Sequence, residues 1–240
     1  MISILTKEIN EFFHSLIGYV VIGVFLIGVG LIMWVLPNNV LDYGYATMEP
    51  LFTVGPYMFM FLVPAITMKS YAEEKRTGTI ELLYTLPFKT WEIIVGKFLA
   101  ALFLVLFSIL PTIVYYYSIY QLGNPVGNLD TSGIIGSYIG LFLLGGVFVA
   151  IGILSSAITE NQIVSFILGA VLCFISYEGM QLLAAMDLWG QSSYYLEQLG
   201  IMFHYNSISK GMIDMQDVVY FMGFIAMVLY GTHLTLELKK

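Results

Sequence analysis

Six stretches of this chain, about Leu16–Leu36, Leu51–Met68, Ile93–Ile119, Ile134–Ile158, Gln162–Leu183 and Val218–Leu236, are long apolar runs broken by few charges. About 18 such residues are enough for a helix to cross the hydrocarbon of a bilayer. Backbone polar groups have no water to bond there, so the spanning structure must be helical or a closed barrel. The composition agrees with six helical spans: 240 residues are 59% hydrophobic and 10% charged, with a mean hydropathy of +0.87. The predicted fold class is an all-α membrane protein with six transmembrane helices, forming a single domain over residues 1–240. The first run is not read as a cleavable signal, because it is long, its flank is not strongly basic, and no small-residue cleavage pattern follows at Trp34 to Asn39.

Lysine and arginine orient the spans. Lys7, Lys69, Lys75, Arg76, Lys89, Lys97, Lys239 and Lys240 fall on one side of the six-span arrangement and Lys210 on the other. The positive-inside rule then makes both termini and the Lys69–Lys89 segment cytoplasmic. Asp42, Glu49, Asp130, Asp187, Glu197, Asp214 and Asp217 fall on the outer side. There is no basic face, which argues against nucleic acid as a partner. The single cysteine, Cys173, lies in an apolar run, so neither a disulfide framework nor a thiolate metal site is available.

Ahead of the first span, Ile2, Leu5, Ile9 and Phe12 recur at helical spacing, with Lys7, Glu8, Asn10 and Glu11 mostly on other faces. The pattern predicts an amphipathic helix over about residues 1–15, lying on the membrane surface, and is equally compatible with a plain lead-in to the first span.

Residues 73 to 87, EEKRTGTIELLYTLP, interrupt the apolar sequence. Lys69 and Glu73 are spaced to pair across one helical turn. Gly78 permits a reversal that a Cβ resists. Thr79 can cap a new short helix with Glu81 in its first turn, and Pro87 restricts Leu86 and ends it. On local physics, residues 69–89 are either a solvated flank that fixes topology or a handle gripped from the cytoplasm.

The stretch RTGTIELLYTLPFKTWEIIVGKFLA, with Gly78, Thr79, Glu81, Leu82, Leu83, Pro87, Gly96 and Lys97, resembles the most characteristic segment of the ABC-2 type transporter permeases. FHYNSISKGMIDMQDVVYFMG, Phe203 to Gly223, is similar to the outer segment and last span of the same family, and the resemblance covers essentially the whole chain. Within the family the chain looks most like the gliding-motility-associated permeases of Bacteroidota, which implies the inner membrane of a bacterium. The resemblance implies the membrane half of an export-type ABC transporter, working with two copies of a cytoplasmic ATPase. A second permease half completes it: a different gliding-motility permease or, failing that, a second copy of this chain. It makes the N-terminal helix the connecting helix and residues 79–86 the coupling helix. Glu73, Glu74, Lys75, Arg76 and Glu81 become docking contacts, with Leu82 and Leu83 packing beneath. It also implies short re-entrant or interfacial helices within residues 184–217.

The chain carries no nucleotide site of its own. A phosphate-binding loop reads G-x-x-x-x-G-K-[ST], whereas Gly96-Lys97 is followed by Phe98 and has Trp91 where the first glycine belongs. No cofactor is therefore expected in this chain, and ATP and Mg²⁺ belong to the partner ATPase. An intramembrane metal hydrolase is disfavoured because His14, His204 and His233 lie far apart without H-E-x-x-H spacing. A secondary transporter is the next alternative, but its usual signs, buried ion-binding carboxylates in broken helices and internal repeats, are absent or weak here. A scaffold that passes ATP-driven movement to an outer partner stays open.

Within the spans, Glu178 and Gln181 near the outer end of the fifth helix are candidates for a pathway or a subunit interface. The plainer reading of Glu178, favoured by its position near the outer end, is that it reaches outer water or pairs with a neighbour. Gly136, Gly140, Gly146 and Ala150 give the fourth helix a small-residue stripe that suits close packing, within the chain or between chains. Pro64 and Pro111 are placed to kink their helices, as hinges or simply as shape.

Overall fold

The computed structural model describes residues 2–37, 39–42, 44–81, 89–186, 193–211 and 214–238. Among them every regular element is a helix: α1 (Ile2–His14), α2 (Leu16–Trp34), α3 (Glu49–Thr67), α4 (Lys69–Arg76), α5 (Thr90–Ile109), α6 (Ile113–Leu122), α7 (Thr131–Ile158), α8 (Gln162–Ala184), α9 (Ser193–Gln198), α10 (Ile201–Ser209) and α11 (Met215–Glu237). Six helical segments are long and apolar enough to cross a membrane: α2, α3 with α4, α5 with α6, α7, α8 and α11. Each matches an expected span to within a few residues, apart from the polar α4 that extends the second.

Local chemistry sets the boundaries. Ser15 caps α2 by accepting from the Ile17 amide at 3.2 Å, Asp130 caps α7 through Gly133 N at 3.1 Å, and Asn161 caps α8 through Ile163 N at 2.9 Å. Pro111 sits in one tightened turn, Leu110–Thr112, between α5 and α6. Proline offers no amide to the preceding turn, so the helix there closes into 3₁₀ geometry. Pro64 is accommodated inside α3, and the interruption falls at Met68, whose amide still reaches the Pro64 carbonyl at 2.9 Å.

The helices run up and down around α7. In α7, 78% of the apolar window is buried, against 28% in α2 and 22% in both α8 and α11. α7 is therefore the core helix, and the outward faces of α2, α8 and α11 carry exposed apolar side chains such as Ile27, Ile163, Phe174 and Met227. A bilayer solvates such faces, which water would not.

α1, α4, the start of α5 and the ends of α7 and α11 gather at one end, here called the α1 face. Among the described residues, all the lysines and the arginine except Lys210 lie toward that end, the sidedness expected from the sequence. α9 and α10 lie at the opposite face. α10 packs against α7, α8 and α11 and buries Ile201, Tyr205 and Ile208. Gly136 of α7 makes this possible, since a Cβ there would stand 2.4 Å from the Ile208 carbonyl oxygen.

Candidate functional site at the α1 face

α1 docks on α5 through Ile4 and Glu8, one turn apart and both buried. Ile4 lies over Gly96, where an added Cβ would come within 3.0 Å of the isoleucine. This corrects the expected helix face: Glu8 points inward, while Ile2 is 75% exposed.

Glu8 turns inward because Lys97 meets it. The Lys97 ammonium, 2% exposed, donates to Glu8 Oε1 at 2.8 Å, to Glu74 Oε1 at 2.9 Å and to the Ser70 carbonyl at 2.8 Å. Its three N–H donors are thereby matched to three acceptors. The ammonium also stands 5.1 Å from the centre of the Tyr71 ring, a cation–π distance. One buried lysine thus joins α1, α4 and α5. Glu74 has a second cation, Lys7, at 3.7 Å, and Lys69 and Glu73 form the expected one-turn pair at 3.9 Å.

α4 is fastened to α7 as well. The break at Met68 leaves the first amides of α4 without helical partners. The Ser156 hydroxyl accepts from Tyr71 N at 2.9 Å and Ala72 N at 3.0 Å, and donates to the Met68 carbonyl at 3.1 Å. A single hydroxyl, with one donor and two acceptor lone pairs, closes the gap in the backbone. The Lys75 ammonium donates to the Ala157 carbonyl in the last turn of α7, where helix carbonyls lack partners and the helix dipole favours a cation.

The candidate handle therefore divides. Glu74 and Lys75 hold α4 to its own bundle, and Glu73 is half-buried. Arg76, Gly78, Thr79 and Glu81 are exposed. Gly78 closes α4 at φ +72°, donating to the Lys75 carbonyl at 3.2 Å, the left-handed geometry that glycine adopts without strain. Residues 79–81 are again helical, and the Thr79 hydroxyl reaches back to that of Thr77 at 3.0 Å. Leu82, Leu83 and Pro87 lie outside the described residues. A cleft of about 670 Å³ opens between α1, α4 and α5, with Lys97 in its lining.

At the opposite face, Glu178 accepts from the Tyr57 hydroxyl at 2.6 Å. Gln181 lines a cavity of about 280 Å³ together with Glu197 and Asn206. Gly136 and Gly140 seat α10, Gly146 faces Ile225 and Leu102, and Ala150 is fully buried, so within this chain the stripe serves internal packing. His204 Nδ1 and Asp217 Oδ1 approach to 2.6 Å, and the Tyr205 hydroxyl donates to the Phe52 carbonyl at 2.7 Å. Among the described residues, no group of three or more His, Cys, Asp or Glu is placed to hold a metal ion.

Sequence reasoning placed Lys97 among the orienting charges and Glu8 on a polar face, so it missed the residues at the centre of the cluster. The available signal was a lysine inside the apolar run IIVGKFLAA, with a glutamate one turn from Ile4.

A family model described as ABC-2 family transporter protein matches residues 2–230. Comparison with curated proteins gave no match.

Proposed function

Because the chain belongs to the ABC-2 family of transporter proteins, we propose that residues 1–240 form one permease domain, the membrane half of an ABC exporter whose ATP hydrolysis is carried out by a separate cytoplasmic subunit. The observation that carries this reading is the fastening of α4. A segment exposed at Arg76, Gly78, Thr79 and Glu81 continues inward into Glu74, Lys75 and the Ser156 and Lys97 bonds, which tie it to α1, α5 and α7.

A push on the exposed segment is then delivered to three helices at once. In this reading two ATPase copies, with ATP and Mg²⁺ bound between them, close and displace α4 through the exposed segment that follows it, and the attached spans tilt. Arg76 and Glu81 supply polar docking contacts, and Leu82, Leu83 and Pro87 belong to the same handle. The clustering of basic residues at the α1 face supports a cytoplasmic location for that face and both termini, in the inner membrane. The likeness to the gliding-motility-associated permeases of Bacteroidota supports a heteromeric complex with a second, different permease chain.

The test is affinity purification from the native membrane with measurement of ATP hydrolysis. Recovery of an ATPase subunit is expected, and its activity should become insensitive to the permease when Gly78→Pro and Glu81→Lys are combined in a normally inserted chain. Recovery of the six-span protein without any ATPase, under conditions that preserve a known ABC complex, overturns the reading.

A further inference from the structure

The cleft beside Lys97 has one carboxylate more than its cations satisfy. Glu8, Glu11, Glu73 and Glu74 line it, against Lys7, Lys69 and Lys97. Lys97 serves Glu8 and Glu74, Lys7 stands by Glu74, and Lys69 stands by Glu73. Among the described residues no lysine or arginine lies within ion-pair distance of Glu11. Partial burial, and then the neighbouring Glu8, push the Glu11 carboxyl above the usual carboxylate range despite Lys7 and Lys97. A cation brought to it from outside would favour the ionised form and offset the repulsion from Glu8.

The walls of the same cleft say what kind of molecule brings that cation. Phe12, Ile17 and Ile66 line it. Ile17 belongs to the first turn of α2 and Ile66 to the last turn of α3, both membrane spans. The apolar wall thus begins where the spans leave the hydrocarbon, and the charged rim stands at headgroup height. A side chain from a water-borne partner would reach the rim and leave this wall uncovered, whereas a lipid covers both. Lys7 and Lys69 stand 3.7 and 3.9 Å from their carboxylates, beyond hydrogen-bonding distance, so their N–H donors can turn to a phosphate.

We propose that the cleft binds an aminophospholipid, its primary ammonium donating to Glu11, its phosphate between Lys7 and Lys69, and its acyl chains along Ile17 and Ile66. The volume of about 670 Å³ lies within the range of small-molecule sites, roughly 300–1,000 Å³. The recognition is selective by chemistry. Phosphatidylcholine has no N–H to donate, and phosphatidylglycerol brings no cation. The proposal requires only that the spans cross a bilayer, so its failure leaves the ATPase-coupling reading untouched.

Native mass spectrometry of the delipidated full-length chain, offered equal amounts of phosphatidylethanolamine, phosphatidylcholine and phosphatidylglycerol, tests it. A charge-assisted hydrogen bond to the Glu11 carboxylate at the rim predicts about tenfold preferential retention of phosphatidylethanolamine. Glu11→Gln should abolish the preference, and Glu197→Gln at the opposite face should preserve it. Lys7→Met, which leaves Glu11 in place, should weaken all three lipids alike, and keeps the test decisive if Glu11→Gln does not fold. Equal retention of the three lipids by the wild-type chain overturns the proposal, as does an unchanged preference in Glu11→Gln. Cross-linking of Glu11 to an ATPase chain in the intact complex, without lipid preference, would assign the cleft to a protein side chain instead.

Discussion

Lys97 of α5 and Glu74 of α4 meet at 2.9 Å in the interior of the α1 face. Glu8 approaches the same ammonium from α1. Removing charges from water is costly, and breaking such a pair from one side is worse, because the surviving charge stays buried without compensation. Lys97→Met strands two carboxylates and should destabilise the protein by about 3–5 kcal/mol. Adding Glu8→Gln and Glu74→Gln to that variant should restore much of the loss, since neutral amides need no counter-charge. Thermal unfolding in detergent, across the single and triple variants, checks both statements. A triple variant no more stable than Lys97→Met would show that the cluster acts through packing and not through charge.

Ser156 offers a cleaner excision, because its hydroxyl makes three hydrogen bonds and the rest of the side chain is one methylene. Ser156→Ala should cost about 1–3 kcal/mol, the penalty for leaving buried backbone groups unsatisfied. The loss should be local as well as global. Hydrogen exchange at the Tyr71 and Ala72 amides should accelerate while that of the α7 core stays slow. Uniform acceleration would contradict the assigned role.

The six spans were legible because each is a run of apolar residues long enough to specify itself. The turn at Gly78 and the Lys69–Glu73 pair were legible for the same reason, since their partners lie within a few residues. The Lys97 cluster was not. Its members are separated by 89 positions from Lys97 to Glu8 and 23 to Glu74, and no periodicity within one helix reveals that three elements converge. Ser156 was hidden likewise, because the amides it caps exist only through a break at Met68 that no proline or glycine at that position announces. Glu178 shows the middle case: the sequence marked it as an ionisable group that needed a partner, and the partner, Tyr57, lies 121 positions away.

Two glycines provide a matched test of where small residues matter. A Cβ at Gly136 would lie 2.4 Å from the Ile208 carbonyl oxygen, a backbone atom that cannot swing aside, whereas Gly23 in α2 has nothing within 4 Å. Gly136→Ala should displace α10 and destabilise by about 1–3 kcal/mol, as overpacking does. Gly23→Ala should be neutral or stabilise by up to about 1 kcal/mol through helix propensity. Thermal unfolding, paired with proteolysis of the α9–α10 segment, distinguishes them. Equal effects would mean that α10 is not seated on α7 as described.

Glu11 gives the α1 face a pH dependence of definite sign. Its carboxyl is raised above its ordinary value of 4.5, by burial first and Glu8 second, with Glu74 adding to the shift and Lys7 and Lys97 opposing it. An acid with a raised folded-state pKa binds its proton more tightly when folded, so its contribution is fully present below 4.5 and is lost as pH rises through the folded value. The wild-type chain should therefore lose stability relative to Glu11→Gln as pH rises through this window, and the two curves should run parallel at higher pH. The difference between the unfolding curves isolates this group from the other carboxylates. A difference that grows in the opposite direction would place Glu11 beside a cation.

Gly78 tests the handle without touching its fastening. At φ +72° a residue with a Cβ is disfavoured by roughly 1–2 kcal/mol, yet the turn is exposed and nothing lies within 4 Å of the missing Cβ, so the strain is purely one of backbone. Gly78→Ala should leave the Lys97 and Ser156 bonds intact and alter only the angle at which the chain leaves α4. Thermal stability should fall by no more than that local cost. Permease-dependent stimulation of ATP hydrolysis should fall further than stability does, because transmission depends on where the handle points. Gly78→Asn, which tolerates the left-handed region better than alanine, should recover part of the stimulation. If alanine and asparagine reduce it equally, the side chain at position 78 obstructs docking directly, and the angle of the turn is not what the ATPase reads.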